Sequence, residues 1–368
     1  MPAHPPMTPT QAALCLSFSP GIGPVAYWRL IAYFGDALSA CAASPKALRG
    51  APGLSERQRQ TVATASSFLP VAIAEEERLC RLGAVCIRHD QPDYPEKLLQ
   101  LTDPPPIIFA LGDRSILTKH AIAVVGARAA SSYGRRVAFT FAKGLARRLT
   151  VVSGMALGID GEAHRGALAA DGHSIGVLGC GLDVAYPPGN ARLFSAMREK
   201  GLLISEYPLQ TPPDAFRFPA RNRIIAALSE AVVVVEAAKR SGSLITAQMA
   251  LDIGREVFAV PGQVDSSKSA GCHWLLQQGA RLAMSADNIM EELGLPIAET
   301  PPEANAIALN DEQQAVLALI EVYPQSREEI LGRSGLTPAR FSEILIRLEL
   351  EGLLETVPGD MLRRLSEN

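Results

Sequence analysis

Residues able to grip an anion recur behind the apolar runs of this sequence. After Ala121–Val125 comes "GARAASSYG", which supplies Gly126, Arg128, Ser131 and Ser132. A dinucleotide-binding turn would place glycine at position 128, because only bare backbone lets a pyrophosphate approach closely. Here an arginine stands in the turn, and the next glycine is Gly134. Further on, "SGMALGID" brings Ser153 and Gly154, and "GCGLDVAYPPGN" is again glycine-rich. "DAFRFPARNRIIAAL" carries Arg217, Phe218, Arg221, Asn222 and Arg223. "VVVVEAAK" then "RSGSLITA" offer Lys239, Arg240, Ser241, Gly242 and Ser243 at the start of a helix. Cations, hydroxyls and free helix N–H groups suit phosphate, and an aromatic ring suits a base.

A catalytic set is not evident beside them. No nucleophile elbow, GxxxxGK[ST], HExxH or paired metal-ligand spacing occurs, so neither a cofactor nor a metal is expected. Asp160, His164 and Glu236 are the titratable candidates. Asp160 reads as a cap or dipole partner at a helix start, and Glu236 as a structural partner for a rim arginine. His273 and Trp274 read as packing residues. Arg221 and Arg223 are placed at the opening of a helix, where positive charge opposes the dipole unless an anion is bound.

The elements that must hold these residues follow from periodicity. From about residue 73, nine apolar runs read as strands: "GAVCIRH", "PPIIFALG", "AIAVVGA", "LTVVSGM", "HSIGVLGCG", "GLLISEY", "AVVVVEA", "EVFAVPG" and "RLAMS". Helical stretches between most of them predict an α/β fold, a doubly wound and mostly parallel sheet covered on both faces. In such a sheet ligands sit outside the carboxyl ends of the strands, so the anion-gripping segments share one rim. Residues 8–72 read as a helical domain in which "GIGP" before a helix resembles half of a helix-hairpin-helix. The α/β domain takes residues 73–294, a Pro/Ala/Glu linker 295–305, and a final domain 306–368. That last segment reads as three helices and a hairpin, a winged helix with Thr337 capping the candidate recognition helix.

Charge sharpens the division. Residues 117–290 hold 19 Lys/Arg against 13 Asp/Glu, net +6, whereas residues 306–368 hold 6 against 11, net −5. A basic centre suits a polyanion, and an acidic tail suits something else. The six cysteines lie at 15, 41, 80, 86, 180 and 272 without metal or disulfide spacing. With no export signal and no apolar run long enough for a bilayer, a cytoplasmic protein without membrane contact is expected.

"VVGARAASSYG", "SGMALGIDGEAH", "VLGCGLDVAYPPGN", "ISEYP", "FPARNRIIAALS" and "VVVVEAAKRSGSLITA" together resemble the DNA-processing protein A family. The likeness covers residues 93–279 in six ordered motifs. It implies an extended Rossmann-like domain flanked by an N-terminal SAM-like domain and a winged helix. It also implies single-stranded DNA binding, loading of the RecA recombinase in natural transformation, a homodimer formed through the Rossmann-like domain, and no catalysis. The family's "GxR" arginine maps to Arg128, and its "FPxRNR" motif to Phe218, Arg221, Asn222 and Arg223. The position that is lysine in some relatives is Leu157 here. The tail departs in charge: its candidate recognition helix holds Glu343, Glu349 and Glu351 against Arg340 and Arg347, which should repel duplex phosphate. A partner-protein or regulatory role is expected of it. Two rival readings remain at this level. One is a Rossmann-like nucleoside-monophosphate hydrolase using Glu236. The other, a NAD-dependent oxidoreductase, is weakened by Arg128 and the missing glycine triplet.

Overall fold

The computed structural model describes residues 7–296, 309–321 and 323–365, so residues 297–305 of the expected linker lie outside the described residues. The chain divides into two compact units, Met1–Ala298 and Glu299–Asn368.

Six short helices open the first unit: α1 (Pro9–Phe18), α2 (Pro24–Phe34), α3 (Ala37–Cys41), α4 (Pro45–Gly50), α5 (Glu56–Ala63) and α6 (Leu69–Leu82). Their starts are written in the sequence. Thr8 and Ser55 close capping boxes with Gln11 and Gln58, and proline occupies the first turn of α1, α2 and α4. The "GIGP" turn joins α1 to α2, with Gly21 at φ +79°. A boundary after residue 72 falls inside α6, whose apolar face continues to Leu79 and whose stop is the left-handed Gly83.

All nine expected strands form: β1 (Val85–Arg88), β2 (Ile107–Gly112), β3 (Ala121–Val125), β4 (Thr150–Ser153), β5 (Ser174–Leu178), β6 (Leu202–Ser205), β7 (Ala231–Val234), β8 (Glu256–Ala259) and β9 (Arg281–Leu282). Their order in the sheet is β1-β2-β6-β5-β4-β3-β7-β8-β9. β1–β2 and β2–β6 pair antiparallel, and every other neighbour pair is parallel.

Side-chain alternation assigns the two faces. Ala121, Ala123 and Val125 of β3 join one core with Val232 and Val234, under α10 (Arg217–Leu228), α11 (Gly242–Asp252) and α12 (Ala270–Gln277). Ile122 and Val124 point the other way, to α7 (Ser132–Leu145), α8 (Ile159–Ala169) and α13 (Ala286–Glu292), with α9 (Ala191–Lys200) further along the sheet. Each fully buried valine or isoleucine contributes roughly 1.5–3 kcal/mol, which is why the central strands need not alternate with polar residues. The N-terminal helices extend the core at the β2 end, where Phe109 and Leu111 meet Leu14, Leu16 and Leu30. The indole Nε1 of Trp28 donates to the Pro104 carbonyl at 2.8 Å.

The second unit is a winged helix: α14 (Asp311–Leu319), α15 (Arg327–Ser334), α16 (Pro338–Leu350), and a sheet of β10 (Gln325–Ser326), β11 (Leu354–Val357) and β12 (Met361–Arg364). Thr337 caps α16 by accepting from the Arg340 N–H. Phe341, Ile344 and Leu348 bury one side of α16 against Val316 and Ile330. Among the described residues no helix is long and apolar enough to cross a membrane.

Candidate functional site

Strand order reverses at β3, which has β4 on one side and β7 on the other. The segments leaving β3, β4 and β7 therefore diverge, and a cleft of about 440 Å³ opens at their carboxyl ends. Gly126 and Arg128 line it from the β3 turn, Ala156 from the next loop, Asp160 from the first turn of α8, and Tyr186 from the loop after β5. Phe218, Arg221 and Asn222 come from α10, and Ser241, Gly242, Ser243 and Thr246 from the N-terminus of α11. A side pocket of about 90 Å³ adjoins it, shared by Arg128, Gly154, Tyr186, Phe218 and Arg221.

The Arg128 turn is held by its neighbours. The Ala127 N–H donates to the Glu236 carbonyl at 2.7 Å, and the Ile159 N–H to the Ala127 carbonyl at 3.2 Å. Ser131 caps α7 by accepting from the Gly134 N–H at 3.0 Å, and both its N–H and its hydroxyl donate to the Glu236 carboxylate. Gly158 has φ +77°, and a Cβ there would sit 2.3 Å from the Ala127 carbonyl oxygen. Glycine is required because the β4–α8 loop runs directly under the Arg128 turn.

Fixed backbone leaves an available side chain. Arg128 is exposed and makes no hydrogen bond or ion pair among the described residues. Its guanidinium lies 5.0 Å from the Phe218 ring centroid, and that ring stacks on Tyr186 at 5.6 Å and 17°. Phe218 is therefore already engaged, which corrects the expectation of an open stacking face. Phe216, 64% exposed just before α10, carries the Arg217 guanidinium 5.0 Å from its ring centroid.

Arg221 behaves differently from Arg128. It is 3% exposed at the cleft floor, donating to the carbonyls of Gly154 (2.7 Å) and Val177. Burial lowers its pKa to about 10, the nearby Asp160 charge opposes that fall, and Arg128 adds to it. Arg221 is thus a cation at neutral pH, facing a second one across the floor. Asp160 lies buried within the first turn of α8, accepting from the Gly154 N–H at 3.2 Å and the Ala156 N–H at 3.4 Å. It clasps the loop before its helix rather than capping the helix. Burial raises its pKa, with Arg221 as the main opposing influence. A Cβ on Gly154 would lie 2.5 Å from the Arg221 Nη2 and 2.7 Å from the Asp160 Oδ2, so this pair leaves no room for a side chain.

Four sequence candidates, Arg223, Ser153, Ser131 and Lys239, are not brought to the cleft. Arg223 turns away: residues two apart on a helix point about 200° apart. Its guanidinium pairs with Glu206, and with Asp103 at 3.6 Å. Arg221 and Arg223 also lie in the second turn of α10, which begins at Arg217, not at its opening. Ser153 is fully buried and donates to the Val124 carbonyl at 2.6 Å, tying β4 to β3. Ser131 is spent on α7 and Glu236, as described. Lys239 is exposed on the loop before α11 but does not line the cleft. At the α11 start Ser241 accepts from the Ser243 N–H at 3.4 Å, leaving the helix end facing the cleft. Tyr186 was missed although its loop stood out for its glycines; an aromatic beside two prolines was the available signal.

Glu236 meets Ser131 and, among the described residues, pairs with no arginine, and it is absent from the cleft lining. His164 is likewise structural. Its neighbour Ser174 donates to the Val151 carbonyl (3.0 Å), so Ser174 Oγ accepts from the His164 Nδ1–H at 2.8 Å. Nε2 is buried without a partner among the described residues. Burial, then the Arg221 and Arg165 charges, depress the His164 pKa to about 3. Between pH 3 and the ordinary value of 6.5 the unfolded chain binds a proton that the folded one refuses. Stability therefore falls as pH drops through 6.5 and continues falling toward 3, by about 1.4 kcal/mol per pH unit. Asp160, with a raised pKa, works in the opposite sense, so the expected result is differential. Chemical denaturation between pH 7.5 and 5 should show a shallower acid loss in His164→Gln than in the wild type, and parallel curves would refute the assignment.

An open, mostly parallel sheet with a cationic, glycine-floored cleft at its switch point defines a Rossmann-like protein. A family model described as DNA recombination-mediator protein A matches residues 85–294. The chain belongs to the DNA recombination-mediator protein A family. Models described as the DprA-like N-terminal HHH domain and the DprA winged helix domain match residues 10–66 and 300–360. Protein Smf of Synechocystis is 31% identical over 399 residues, covering 97% of this chain and 100% of the relative. Protein Smf of Escherichia coli is 44% identical over 284 residues, 74% of this chain and 76% of the relative. The X-ray structure of DNA processing protein A from Streptococcus pneumoniae superposes with a TM-score of 0.67 at 32% identity, covering 77% of this chain and 98% of that one. A structure of DNA processing protein A from Helicobacter pylori, concerned with its unique single-stranded DNA binding mode, gives 0.53 at 30% identity over 57% of this chain and 95% of that one.

Proposed function

We propose that this protein binds single-stranded DNA through the cleft at the β3–β7 switch point and loads the RecA recombinase onto the strand, in the cytoplasm and without catalysis. The observation that carries the reading is Arg128: an exposed guanidinium, without hydrogen bond or ion pair among the described residues, on a turn fixed by Glu236, Ser131 and Gly158, facing the buried Arg221 and the N-terminus of α11. Two cations that repel across a floor are relieved by an anion between them. The site has the breadth for an unpaired chain, whose bases can leave the stack, and a stiff duplex cannot follow it. The H. pylori neighbour's single-stranded DNA binding supports the same ligand.

The hydrolase reading has less support. Its required carboxylate, Glu236, is turned to Ser131. Asp160 does line the cleft, but it is engaged by two backbone N–H groups and neighbours Arg221. A homodimer through the Rossmann-like domain is in keeping with exposed Trp274 on α12 and exposed Leu282 and Met284 at the open β9 edge of the sheet. The winged helix is assigned to a protein partner or to regulation: on α16, Arg340 is held by Glu312 (2.7 Å) and Glu343 (2.8 Å), which removes a cation from any DNA-reading face.

Fluorescence anisotropy with labelled oligodeoxythymidylate, against a duplex of equal length, tests the reading across a salt series. Tighter single-strand binding is expected, with log K falling by about 0.7 per decade of salt for each phosphate neutralised. Equal affinity for duplex, or release of free base from a nucleotide panel, would overturn it.

A further inference from the structure

Resting on the single-strand reading above, we propose that an open trough between α8 and the start of α9 is a second phosphodiester-binding segment that carries the strand onward. The trough encloses about 690 Å³ and is walled by Arg165 and Leu168 of α8, and by Pro188, Gly189, Arg192 and Leu193.

Three observations point to a polynucleotide there. Arg192 is exposed, makes no hydrogen bond or ion pair among the described residues, and lies in the first turn of α9. A cation at that end opposes the helix dipole, and a phosphate reverses the sign of the arrangement. Arg165 supplies a second guanidinium, directed by the Glu162 carboxylate (2.9 Å) and the Asn190 Oδ1 (3.3 Å). Glu162 offsets part of the Arg165 charge, so Arg192 is the dominant cation.

The trough is also continuous with the cleft. The side pocket ends at Leu157 and Pro187, and the trough begins at Pro188 and Gly189. Leu157 is 45% exposed and reaches to 3.1 Å from where a Gly189 Cβ would stand. It forms an uncharged saddle between two cationic segments, suited to a sugar or base face. Buried Asn190 fixes the two together: its Nδ2 donates to the carbonyls of Met155 (3.0 Å) and Ala156 (2.9 Å), while its Oδ1 steadies Arg165. Ala156 lines the cleft, so one side chain joins the cleft wall to the trough wall.

The test uses the full chain, with dT3 and dT20 as probes of the short and long site, on the wild type and Arg192→Ala. Wild-type affinity is expected to rise with length. The substitution should weaken dT20 about tenfold at low salt and lower its salt slope by about 0.7, leaving dT3 unchanged. An unaltered dT20 slope, or equal weakening of dT3 and dT20, would overturn the trough. Failure of the wild type to bind either oligonucleotide would instead overturn the cleft reading, and with it this one.

Discussion

Arg128→Glu is expected to weaken binding of an oligodeoxythymidylate by roughly a hundredfold while leaving the folded protein intact. A charge-assisted contact to phosphate contributes about 1.5–3 kcal/mol, and each 1.4 kcal/mol is tenfold in affinity. Reversing the charge adds repulsion to that loss. Stability should change little, because the side chain makes no hydrogen bond or ion pair among the described residues and only rests over the Phe218 ring. The turn itself is held by backbone and by the Ser131–Glu236 contacts, which the substitution leaves in place. Arg128→Lys should fall between wild type and Arg128→Glu, keeping the charge but losing the planar stack. Anisotropy titrations with an unfolding scan on each variant decide the matter. Wild-type affinity in a folded Arg128→Glu protein would remove the cleft from the DNA path.

The same residue shows what the chain's text discloses. An arginine in the first turn after a buried strand is legible, because strand periodicity fixes the turn and the turn fixes the rim. All nine strands are legible for the same reason: their apolar runs are bounded by Gly, Pro or charged residues. What lies two residues apart on a helix is not so simply read. "ARNRI" presents its arginines as a pair, yet α10 sends Arg221 under the cleft and Arg223 to Glu206 and Asp103. Periodicity could have separated them; nothing local could have named Glu206 as the partner. The fate of Phe218 depended on Tyr186, more than thirty positions earlier in another loop, and on Arg128. Ser131 and Glu236 were each visible, but their hydrogen bond joins two strands' exits. Local sequence placed the groups on the rim, and tertiary pairing decided which of them stayed free.

Pairing also governs the largest expected effect on stability. Arg221→Met should destabilise the protein by about 3–5 kcal/mol, because removing one of two neighbouring buried opposite charges leaves the other uncompensated. Asp160 would remain buried without its main opposing charge, and the carbonyls of Gly154 and Val177 would lose their guanidinium donor. The same change removes the cation from the cleft floor, so DNA binding alone could not separate a contact from a scaffold. A double substitution does. Arg221→Met with Asp160→Asn takes out both charges while keeping a carboxamide oxygen to accept from Gly154 and Ala156. Urea unfolding should show the pair regaining a substantial part of the single-variant loss, the non-additivity that marks coupled residues. DNA affinity should stay low in the double variant, because the positive floor is still missing. Additive losses would mean that Arg221 stabilises the fold independently of Asp160, and restored DNA affinity would mean that its charge never faced the strand.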